Sequence, residues 1–471
     1  MVLVRTMKKT VKQYSYLIEQ NVIKELLLIG NRYKKVKNYV YARFSGIRSL
    51  LLVQNDRKIR DAWVKSEFAT QWKLPARYWK LALTEAIGNI KTNWTTIKKN
   101  IREHAKANEH LTNTDLHYIR YILKADRLYY QVLNRIPFEV PKKFQDKAIN
   151  RTYLHNLICR YTRKYKGRVP RANETKHSFS VDTGLYRYKQ GTIHLTSLRK
   201  GKRIAIPLTE KNEYHSTLKI IVNAIRHTIE VHCPIDVKRK KAKGDNVIGI
   251  DKGYRYLFAT STDHMYGDKL SMYLSEETER LKQVNASRNR FYVLYRMYRK
   301  QGNKKKANRI LQHNLGKRKY QKNKKQHDGQ VKSYINEQLN RLIQEEQPKE
   351  IIMEQLDFVS WNARYPKHVK RKLYRWLKGY IRERVEYKCE LYDIVYTKIN
   401  PAYTSKICHN CGAFGKRTGD TFVCNQCGMF HADINAAKNI YARKYDEEIN
   451  LYTNYKKVKE ILNKRNGIAI T

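Results

Sequence analysis

Three acidic residues in the C-terminal half of the chain occupy positions where carboxylates can do chemistry. Asp251 ends the run VIGID, Glu354 ends the run IIME, and Asp433 opens the stretch DINAAKNI. The short apolar runs before the first two acids are typical of buried strands in a sheet that is covered on both faces. The apolar residues after Asp433 recur at helical spacing, so this acid is predicted to lie at a helix N-terminus.

An acid at the carboxyl end of such a strand lies where open α/β sheets build their sites. Three acids from separate strand and helix ends can converge to hold two divalent metal ions, which is the chemistry of phosphodiester hydrolysis. Taken singly, each acid also has an ordinary structural interpretation. Asp251 and Glu354 can be turn residues, and Asp433 can be an N-cap. The metal hypothesis therefore depends on the three acids occurring together.

Four cysteines form two C-x-x-C pairs, Cys408 with Cys411 and Cys424 with Cys427, and twelve residues separate the pairs. A glycine follows each pair, as the tight turn of a zinc knuckle requires. Four thiolates at this spacing predict one closed, tetrahedral structural Zn²⁺ site with no position open for catalysis. The other three cysteines are isolated in the sequence and are expected to be reduced thiols: Cys159, Cys233 and Cys389.

The charge balance favours a polyanionic partner. The chain of 471 residues has 97 Lys and Arg against 42 Asp and Glu, a formal net charge of +55, and nucleic acid is the default ligand for such a surface. Basic and aromatic residues interleave in segments such as RNRFYVLYRMYRK. These segments can pair phosphates and stack on bases, or they can pack as ordinary amphipathic helices.

The sequence does not predict a membrane protein. No apolar stretch approaches the length of a membrane span, and the N-terminal residues lack a signal-peptide core. We therefore expect a cytoplasmic, nucleoid-associated prokaryotic protein with no membrane partner.

The pattern along the chain predicts a multidomain α+β fold. Residues 1 to about 40 suggest one or two strands, and residues 44–134 show the three- and four-residue apolar spacing of helices. Residues 137–244 contain one helix-like piece and then alternate in short segments with Gly at turns, which indicates a β-rich, barrel-like domain. A long helical stretch, about 276–344, separates the first two acids.

The order of a strand, the cysteine motif and an acid-headed helix resembles a known family. KINPAYTSKICHNCG…FVCNQCGMFHADINAAKNI is similar to the C-terminal signature of the TnpB proteins, which are transposon-encoded, RNA-guided DNA endonucleases related to the type V CRISPR nucleases. GIDKGY and IIMEQLDF resemble their first two nuclease motifs. The motif-bearing resemblance covers about residues 246–445. Asn435 matches the family's Asn after the last Asp, whereas Ala432 stands where many members carry Arg.

The resemblance implies an RNase H-like (RuvC-like) α/β nuclease domain with an inserted zinc ribbon. It also implies an N-terminal β-barrel wedge domain that is interrupted by a helical recognition domain. The implied domains are the wedge, first part (1–43), the helical recognition domain (44–135), the wedge, second part (136–245), the nuclease domain (246–402), the zinc ribbon (403–430), the final nuclease helix (431–445) and a C-terminal tail (446–471).

The resemblance also implies roles for the acids and their partners. Asp251, Glu354 and Asp433 correspond to the RuvC-like acidic triad, with Asp251 bridging two Mg²⁺ ions and each of the others completing one coordination shell. A guide RNA would be held through its phosphates and A-form shape. Target double-stranded DNA would be read by pairing with the guide, next to a short flanking motif read by the protein. No small-molecule substrate is expected.

Three alternatives remain open. A compact type V CRISPR effector shares all of these motifs and differs in its genomic neighbourhood. A nuclease-inactive, RNA-guided DNA-binding repressor would normally have lost one or more of the acids, and all three are present. The third alternative is a zinc-ribbon protein that binds nucleic acid without a guide.

Overall fold

The computed structural model describes residues 6–139, 142–145, 147–173, 177–240, 242, 244–316, 318–356 and 378–467. The chain divides into two compact units. The N-terminal unit comprises Lys8–Val237, and the C-terminal unit comprises most of the remainder, Lys238–Thr471. Both units contain helices and strands, so the prediction of a multidomain α+β fold is confirmed.

Long helices occur in both units. Among the described residues, none of them combines the length and the apolar character that a bilayer-spanning helix needs. The helices are, in chain order, α1 (Gln20–Phe44), α2 (Asp56–Lys65), α3 (Ala76–Lys106), α4 (Asn113–Lys124), α5 (Asp126–Asn134), α6 (Lys142–Gln145), α7 (Arg151–Lys166), α8 (Leu270–Lys300), α9 (Lys304–His313), α10 (Arg318–Glu346), α11 (Lys378–Tyr392), α12 (Ala432–Arg443) and α13 (Tyr455–Arg465).

The strands fall into four sheets. They are β1 (Thr6–Tyr14), β2 (His177–Val181), β3 (Tyr186–Lys189), β4 (Thr192–Thr196), β5 (Arg203–Pro207), β6 (Leu218–Asn223), β7 (Thr228–Lys238), β8 (Asn246–Asp251), β9 (Phe258–Thr260), β10 (Met265–Tyr266), β11 (Pro348–Glu354), β12 (Val395–Ile399), β13 (Lys416–Thr418), β14 (Thr421–Cys424) and β15 (Gly428–His431).

The first helix is where the N-terminal unit departs from the sequence-based prediction. The pattern of residues 1–40 predicts strands, but its described part forms one strand, β1, and then the 25-residue helix α1. The buried residues of α1 recur every three or four positions, as in Ile23, Leu26, Val36 and Val40, and α1 packs against α3. Burial of this stripe outweighs the β-branched composition that suggested strands.

The helices predicted for residues 44–134 are confirmed. Thr112 caps α4 as the sequence suggests: its hydroxyl accepts from the backbone N–H of Asp115, and the Asp115 carboxylate accepts from the backbone N–H of Thr112. This reciprocal pair satisfies two backbone donors that a helix start would otherwise leave unpaired. The helices and the strands of this unit share one hydrophobic core, from Ile18 to Cys233.

The strands of the N-terminal unit form two open sheets. One has the order β1-β7-β6-β2, and the other has the order β3-β4-β5. An antiparallel bridge between Ser15 and Leu208 links the ends of β1 and β5. Within the described part of the unit, no ladder joins β3 to β2. The predicted closed barrel is therefore not formed.

The C-terminal unit is built on a mixed five-stranded sheet in the order β10-β9-β8-β11-β12. β8, β11 and β12 are parallel, and β9 and β10 are antiparallel to their neighbours. One face of the sheet packs against α8, α10 and α11 through a core that includes Ile248, Ile250, Ile351 and Met353. The other face lies under α12, the helix Ala432–Arg443. Burial on both faces explains why the apolar runs are continuous.

Candidate functional site

Alternation along β8 and β11 places two of the acids on the face covered by α12. Any side chain at Gly249 would collide with the backbone of α12, because its Cβ would lie 2.5 Å from the carbonyl oxygen of Ala437. Gly249 therefore faces α12, and Asp251, two residues later, faces the same side. Ile352 packs against Ile440 of α12, so Glu354 also lies on this face.

Strand register brings Asp251 and Glu354 side by side. Ile250 of β8 pairs with Met353 of β11 in a parallel ladder, and the next residue on each strand is the acid. Neighbouring strands are about 4.8 Å apart, so the two carboxylates crowd one another. Burial, followed by the negative charges of Glu354 and Asp433, raises the pKa of Asp251 to about 8.

Asp433 joins this pair from the first turn of α12 and is only 4% exposed. Its Oδ1 accepts a 2.6 Å hydrogen bond from the Arg417 guanidinium of β13. A Cβ at Gly253, just beyond Asp251, would lie 3.2 Å from Asp433 Oδ2, which shows how closely the helix start approaches the end of β8. The Arg417 charge also opposes the rise in the pKa of Asp251, so it acts on more than one of the acids.

Glu354 is held by a buried hydroxyl. Thr404, which is 1% exposed, donates from Oγ1 to Glu354 Oε1. The backbone carbonyl of Thr404 in turn accepts from the side-chain amide of Asn439 in α12, at 2.9 Å. The orientation of Glu354 is therefore coupled to the helix that carries Asp433.

The three carboxylates have the chemistry of a Mg²⁺ site, since Mg²⁺ takes oxygen ligands in proteins. They are less tightly gathered than the cysteines: in the described ranges, the four cysteines alone place all of their donor atoms within 4.8 Å of one another. The raised pKa of Asp251 reflects its burial first and then the repulsion from the other two acids at this end of the sheet. A divalent cation between them would offset that repulsion.

The four predicted zinc ligands lie together. The Sγ atoms of Cys408, Cys411, Cys424 and Cys427 all lie within 4.8 Å of one another. Tetrahedral Zn²⁺ with Zn–S bonds of about 2.3 Å requires sulfur–sulfur distances of about 3.8 Å, so the cluster fits the ion with little movement. Burial alone would raise the pKa of Cys424, but hydrogen bonds from the backbone of Gln426 and Cys427 lower it to about 7.

Two buried amides connect this cluster to α12. Asn435 Oδ1 accepts from the backbone N–H of His409 at 2.9 Å, and Asn435 Nδ2 donates to the carbonyl of Ile407 at 2.9 Å. Asn439 Nδ2 donates to the same carbonyl at 2.7 Å. The first cysteine pair is therefore fixed to the helix whose first turn contains Asp433.

Sequence reasoning named the acids and the cysteines but missed three residues that position them. Thr404, Arg417 and Asn439 donate hydrogen bonds to Glu354, to Asp433 and to the carbonyl of Ile407 before the first knuckle, respectively. Thr404 and Asn439 lie within the stretches that carry the family resemblance, so the motif was visible although the role of each side chain was not. Arg417 stands in the twelve-residue segment between the cysteine pairs, outside the residues that carry the resemblance.

Comparison with known proteins identifies the segment that contains the last acid and the cysteines. Residues 379–440 match the Cas12f1-like TNB domain family. The CRISPR-associated endodeoxyribonuclease Cas12f1 of Sulfoacidibacillus thermotolerans is 39% identical over 83 residues, which are 17% of this chain and 20% of that protein. The TNB match supports the part of the predicted resemblance that concerns the type V nucleases, for residues 379–440.

Two solved structures align with most of the chain. The Cas12f1–sgRNA–target DNA complex covers 93% of this chain and 99% of its own, with 14% identity and a TM-score of 0.40. The mini-RNA-guided endonuclease CRISPR-Cas_phi3 covers 93% of this chain and 92% of its own, with 12% identity and a TM-score of 0.45. Identity is low in both alignments, so the functional assignment is built from the site's own residues.

Proposed function

We propose that the chain is a metal-dependent, RNA-guided DNA endonuclease of the TnpB type with an RNase H-like (RuvC-like) core. The observation that carries this proposal is the register that sets Asp251 beside Glu354, on the face covered by the helix that begins next to Asp433. The mixed sheet, with β8 central and its hairpin on one side, supports the RNase H-like core. Guide RNA and target double-stranded DNA are the proposed partners, which is consistent with the net charge of +55.

Each residue of the site has a proposed task. Asp251, Glu354 and Asp433 would hold the Mg²⁺ ions through their carboxylate oxygens. Bound Mg²⁺ would polarise the scissile phosphate and lower the pKa of an attacking water. Thr404 keeps Glu354 oriented, as residues behind metal ligands commonly do. Arg417 sets a positive charge beside Asp433, where it could also attract the phosphodiester.

The cysteine cluster would hold one structural Zn²⁺ ion. Four thiolates close a tetrahedral shell, so the ion would stabilise the ribbon and leave the chemistry to the acids. Elemental analysis of the purified protein should give about one zinc per chain. The Cys408→Ser/Cys424→Ser double variant should lose it, whereas Cys159→Ser, outside the cluster, should retain it. Equal zinc content in all three proteins would refute the assignment.

A compact type V CRISPR effector is the second candidate function. The TNB match favours it, because the matching family model is a Cas12f1-like domain and the matching curated relative is a Cas12f1. Sequencing the RNA that copurifies with the protein separates the two candidates. Transposon-end sequence joined to a variable guide supports the TnpB type, and a CRISPR repeat joined to a spacer supports the effector.

The central test is guided cutting of duplex DNA. The purified ribonucleoprotein should cut in Mg²⁺ where the guide pairs beside a fixed short motif, and a swapped guide should move the cut. Asp251→Asn and Glu354→Gln should abolish cutting while guide-RNA binding persists. Asp245→Asn removes the same charge from a side chain that is 99% exposed at the other end of β8, and it should cut normally. Cutting that ignores the guide, or that persists in both triad variants, refutes the proposal.

A further inference from the structure

A second concave site lies at the opposite edge of the C-terminal sheet from the acids. It is a cavity of about 450 Å³ between the end of α10, the end of α11 and the starts of β11 and β12. This volume lies in the range of small-molecule pockets. The seven residues of β11 separate the cavity from Glu354 by about 20 Å, so its occupant is not the bond that the acids would cut.

The polar lining of the cavity combines positive charge, an aromatic ring and amides. The ammonium groups of Lys240 and Lys388 lie 5.5 and 5.4 Å from the centroid of the Tyr392 ring. Carboxamide side chains line the cavity from α10 and the turn after it, and none of the described residues that line it carries a carboxylate. These amide-bearing residues are Asn340, Gln344 and Gln347.

The wall that carries Gln347 is fixed by close packing. Gln347 has a φ of 46°, in the left-handed region that non-glycine residues rarely occupy. Gly244 lies against it, since a Cβ at Gly244 would come within 2.2 Å of the Gln347 carbonyl oxygen. The backbone N–H of Lys240 donates to the carbonyl of Leu391 at 2.8 Å, which ties the opposite wall to the end of α11.

We propose that this cavity binds one nucleoside monophosphate unit. The phosphate would lie between the ammonium groups of Lys240 and Lys388, which are suited to an anion with several acceptor oxygens. The base would contact Tyr392, since rings of this kind stack on bases without strict sequence preference. The carboxamides offer both donors and acceptors to the base edge. The unit is either a free mononucleotide or one unpaired nucleotide of a bound strand, and the inference does not depend on the proposed nuclease activity.

Binding of free nucleotides tests the site directly. The four ribonucleoside 5′-monophosphates are titrated by calorimetry into the full-length protein, stripped of nucleic acid, and ribose 5-phosphate and inorganic phosphate serve as probes without a base. At least one mononucleotide should bind tenfold or more tightly than ribose 5-phosphate. Lys240→Gln/Lys388→Gln and Tyr392→Leu should each weaken it at least tenfold. Lys456→Gln/Lys459→Gln removes the same charge from two exposed residues of α13 and should leave the affinity for the mononucleotide unchanged.

A strand-borne nucleotide is tested by photo-crosslinking. RNA containing 4-thiouridine is bound to the protein and irradiated, and the crosslinked peptides are mapped by mass spectrometry. A crosslink to the peptide of Tyr392, lost in the cavity lysine variant and kept in the α13 variant, supports a strand source. The proposal is overturned if neither assay gives a signal at the cavity, or if ribose 5-phosphate binds as well as every mononucleotide. Failure of guided DNA cutting leaves both results unaffected.

Discussion

Asp251 is held beside two other acids against their mutual repulsion, and this has a consequence for pH. Its pKa in the folded chain is about 8, against about 3.9 in an unfolded chain. Between these values the folded state binds a proton that the unfolded state has released, so the stability of the metal-free protein falls as pH rises through this window. Mg²⁺ competes with that proton for the carboxylate.

We therefore expect Mg²⁺ to raise the melting temperature more at pH 8 than at pH 6. Differential scanning fluorimetry at the two pH values, with Ca²⁺-free buffers and matched ionic strength, measures the difference. In Asp251→Asn the pH dependence of the Mg²⁺ effect should vanish. An equal effect of Mg²⁺ at both pH values in the natural protein would contradict the assigned ligand set.

Thr404 should affect Mg²⁺-dependent cutting by orienting Glu354, in addition to any effect on the stability of the fold. Replacing Thr404 with Val keeps the shape and removes the hydroxyl that donates to Glu354. Loss of a partner behind a metal ligand typically lowers metal affinity or activity by about 10–100-fold. The Mg²⁺ concentration for half-maximal DNA cutting should rise accordingly. Thr404→Ser retains the hydroxyl donor, so its Mg²⁺ requirement should be close to that of the natural protein. A Ser variant as impaired as the Val variant would argue against the hydrogen bond to Glu354 as the cause.

Residue type and local spacing were enough to find the acids and the cysteines, because each stands in a short pattern that carries its own chemistry. Their partners could not be found in the same way. Thr404 meets a carboxylate 50 residues away, and Asn439 meets a carbonyl 32 residues away. These residues come into contact only after the sheet and α12 have packed. A pattern within a short stretch of sequence therefore cannot predict the contacts.

At the scale of elements, α12 unites the two candidate metal sites. It carries Asp433, packs against Gly249 of β8 and holds the first cysteine pair through Asn435 and Asn439. Removing these amides leaves the buried carbonyl of Ile407 without two of its donors, which costs about 1–3 kcal/mol.

We expect Asn435→Ala/Asn439→Ala to release zinc to a chelator faster than the natural protein and to unfold at lower temperature. Release is followed with a colorimetric zinc indicator. Asn425→Ala, an exposed residue of the second cysteine pair, is the matched control and should release zinc at the natural rate. Equal release rates in the control and in the double variant would mean that α12 does not stabilise the zinc cluster.

Glu85 plays a comparable connecting role in the N-terminal unit. From α3 it accepts hydrogen bonds from Lys37 and Tyr33 of α1 and from Lys219 of β6, at 2.7–2.9 Å. Burial alone would raise its pKa, but the two ammonium groups lower it to about 2. A depressed pKa stabilises the folded state above the unfolded value of about 4.3, and this contribution is lost as pH falls from there toward 2.

Glu85→Gln should therefore destabilise the protein by about 2–3 kcal/mol at pH 7 and by much less near pH 2. Urea denaturation followed by far-ultraviolet circular dichroism at the two pH values gives both free energies of unfolding. Asp61→Asn, on the exposed side of α2, serves as the control and should change neither value appreciably. A Glu85 variant with the same deficit at both pH values would indicate lost packing instead of lost charge.

The elements show which patterns were decisive. Continuous apolar runs that end in an acid correctly predicted β8 and β11. A strand that is buried on both faces needs apolar residues at successive positions, so its sequence is a continuous apolar run. Composition gave the wrong prediction for α1. Its β-branched residues suggested strands, although the spacing of its apolar residues is helical. The barrel was expected both from the strand pattern of residues 137–244 and from the family resemblance, but the two sheets of the N-terminal unit remain open in the described residues.

At the scale of the whole molecule, the charge is unevenly distributed. Residues 282–325 contain sixteen Lys and Arg and no Asp or Glu. The buried residues of α8 all precede this segment, since Leu281 is the last of them, and α9 folds back on α8 with Ala307 as its buried residue. We call residues 282–313 the basic hairpin. It extends from the core of the C-terminal unit and presents exposed rings such as Tyr292 among its cations.

The basic hairpin should contribute more to RNA affinity than an equal charge elsewhere. Lys300→Gln/Lys304→Gln/Lys305→Gln neutralises three exposed residues at its tip, and Lys456→Gln/Lys457→Gln/Lys459→Gln does the same on α13. If the tip contacts phosphates, each lost contact reduces the slope of log affinity against log salt by about 0.7–0.9. Filter binding of the copurified RNA from low to high salt should therefore show a slope smaller by about 2–3 for the hairpin variant and nearly unchanged for the α13 variant. Equal changes in the two variants would mean that the RNA responds to net charge alone, with no preferred contact at the hairpin.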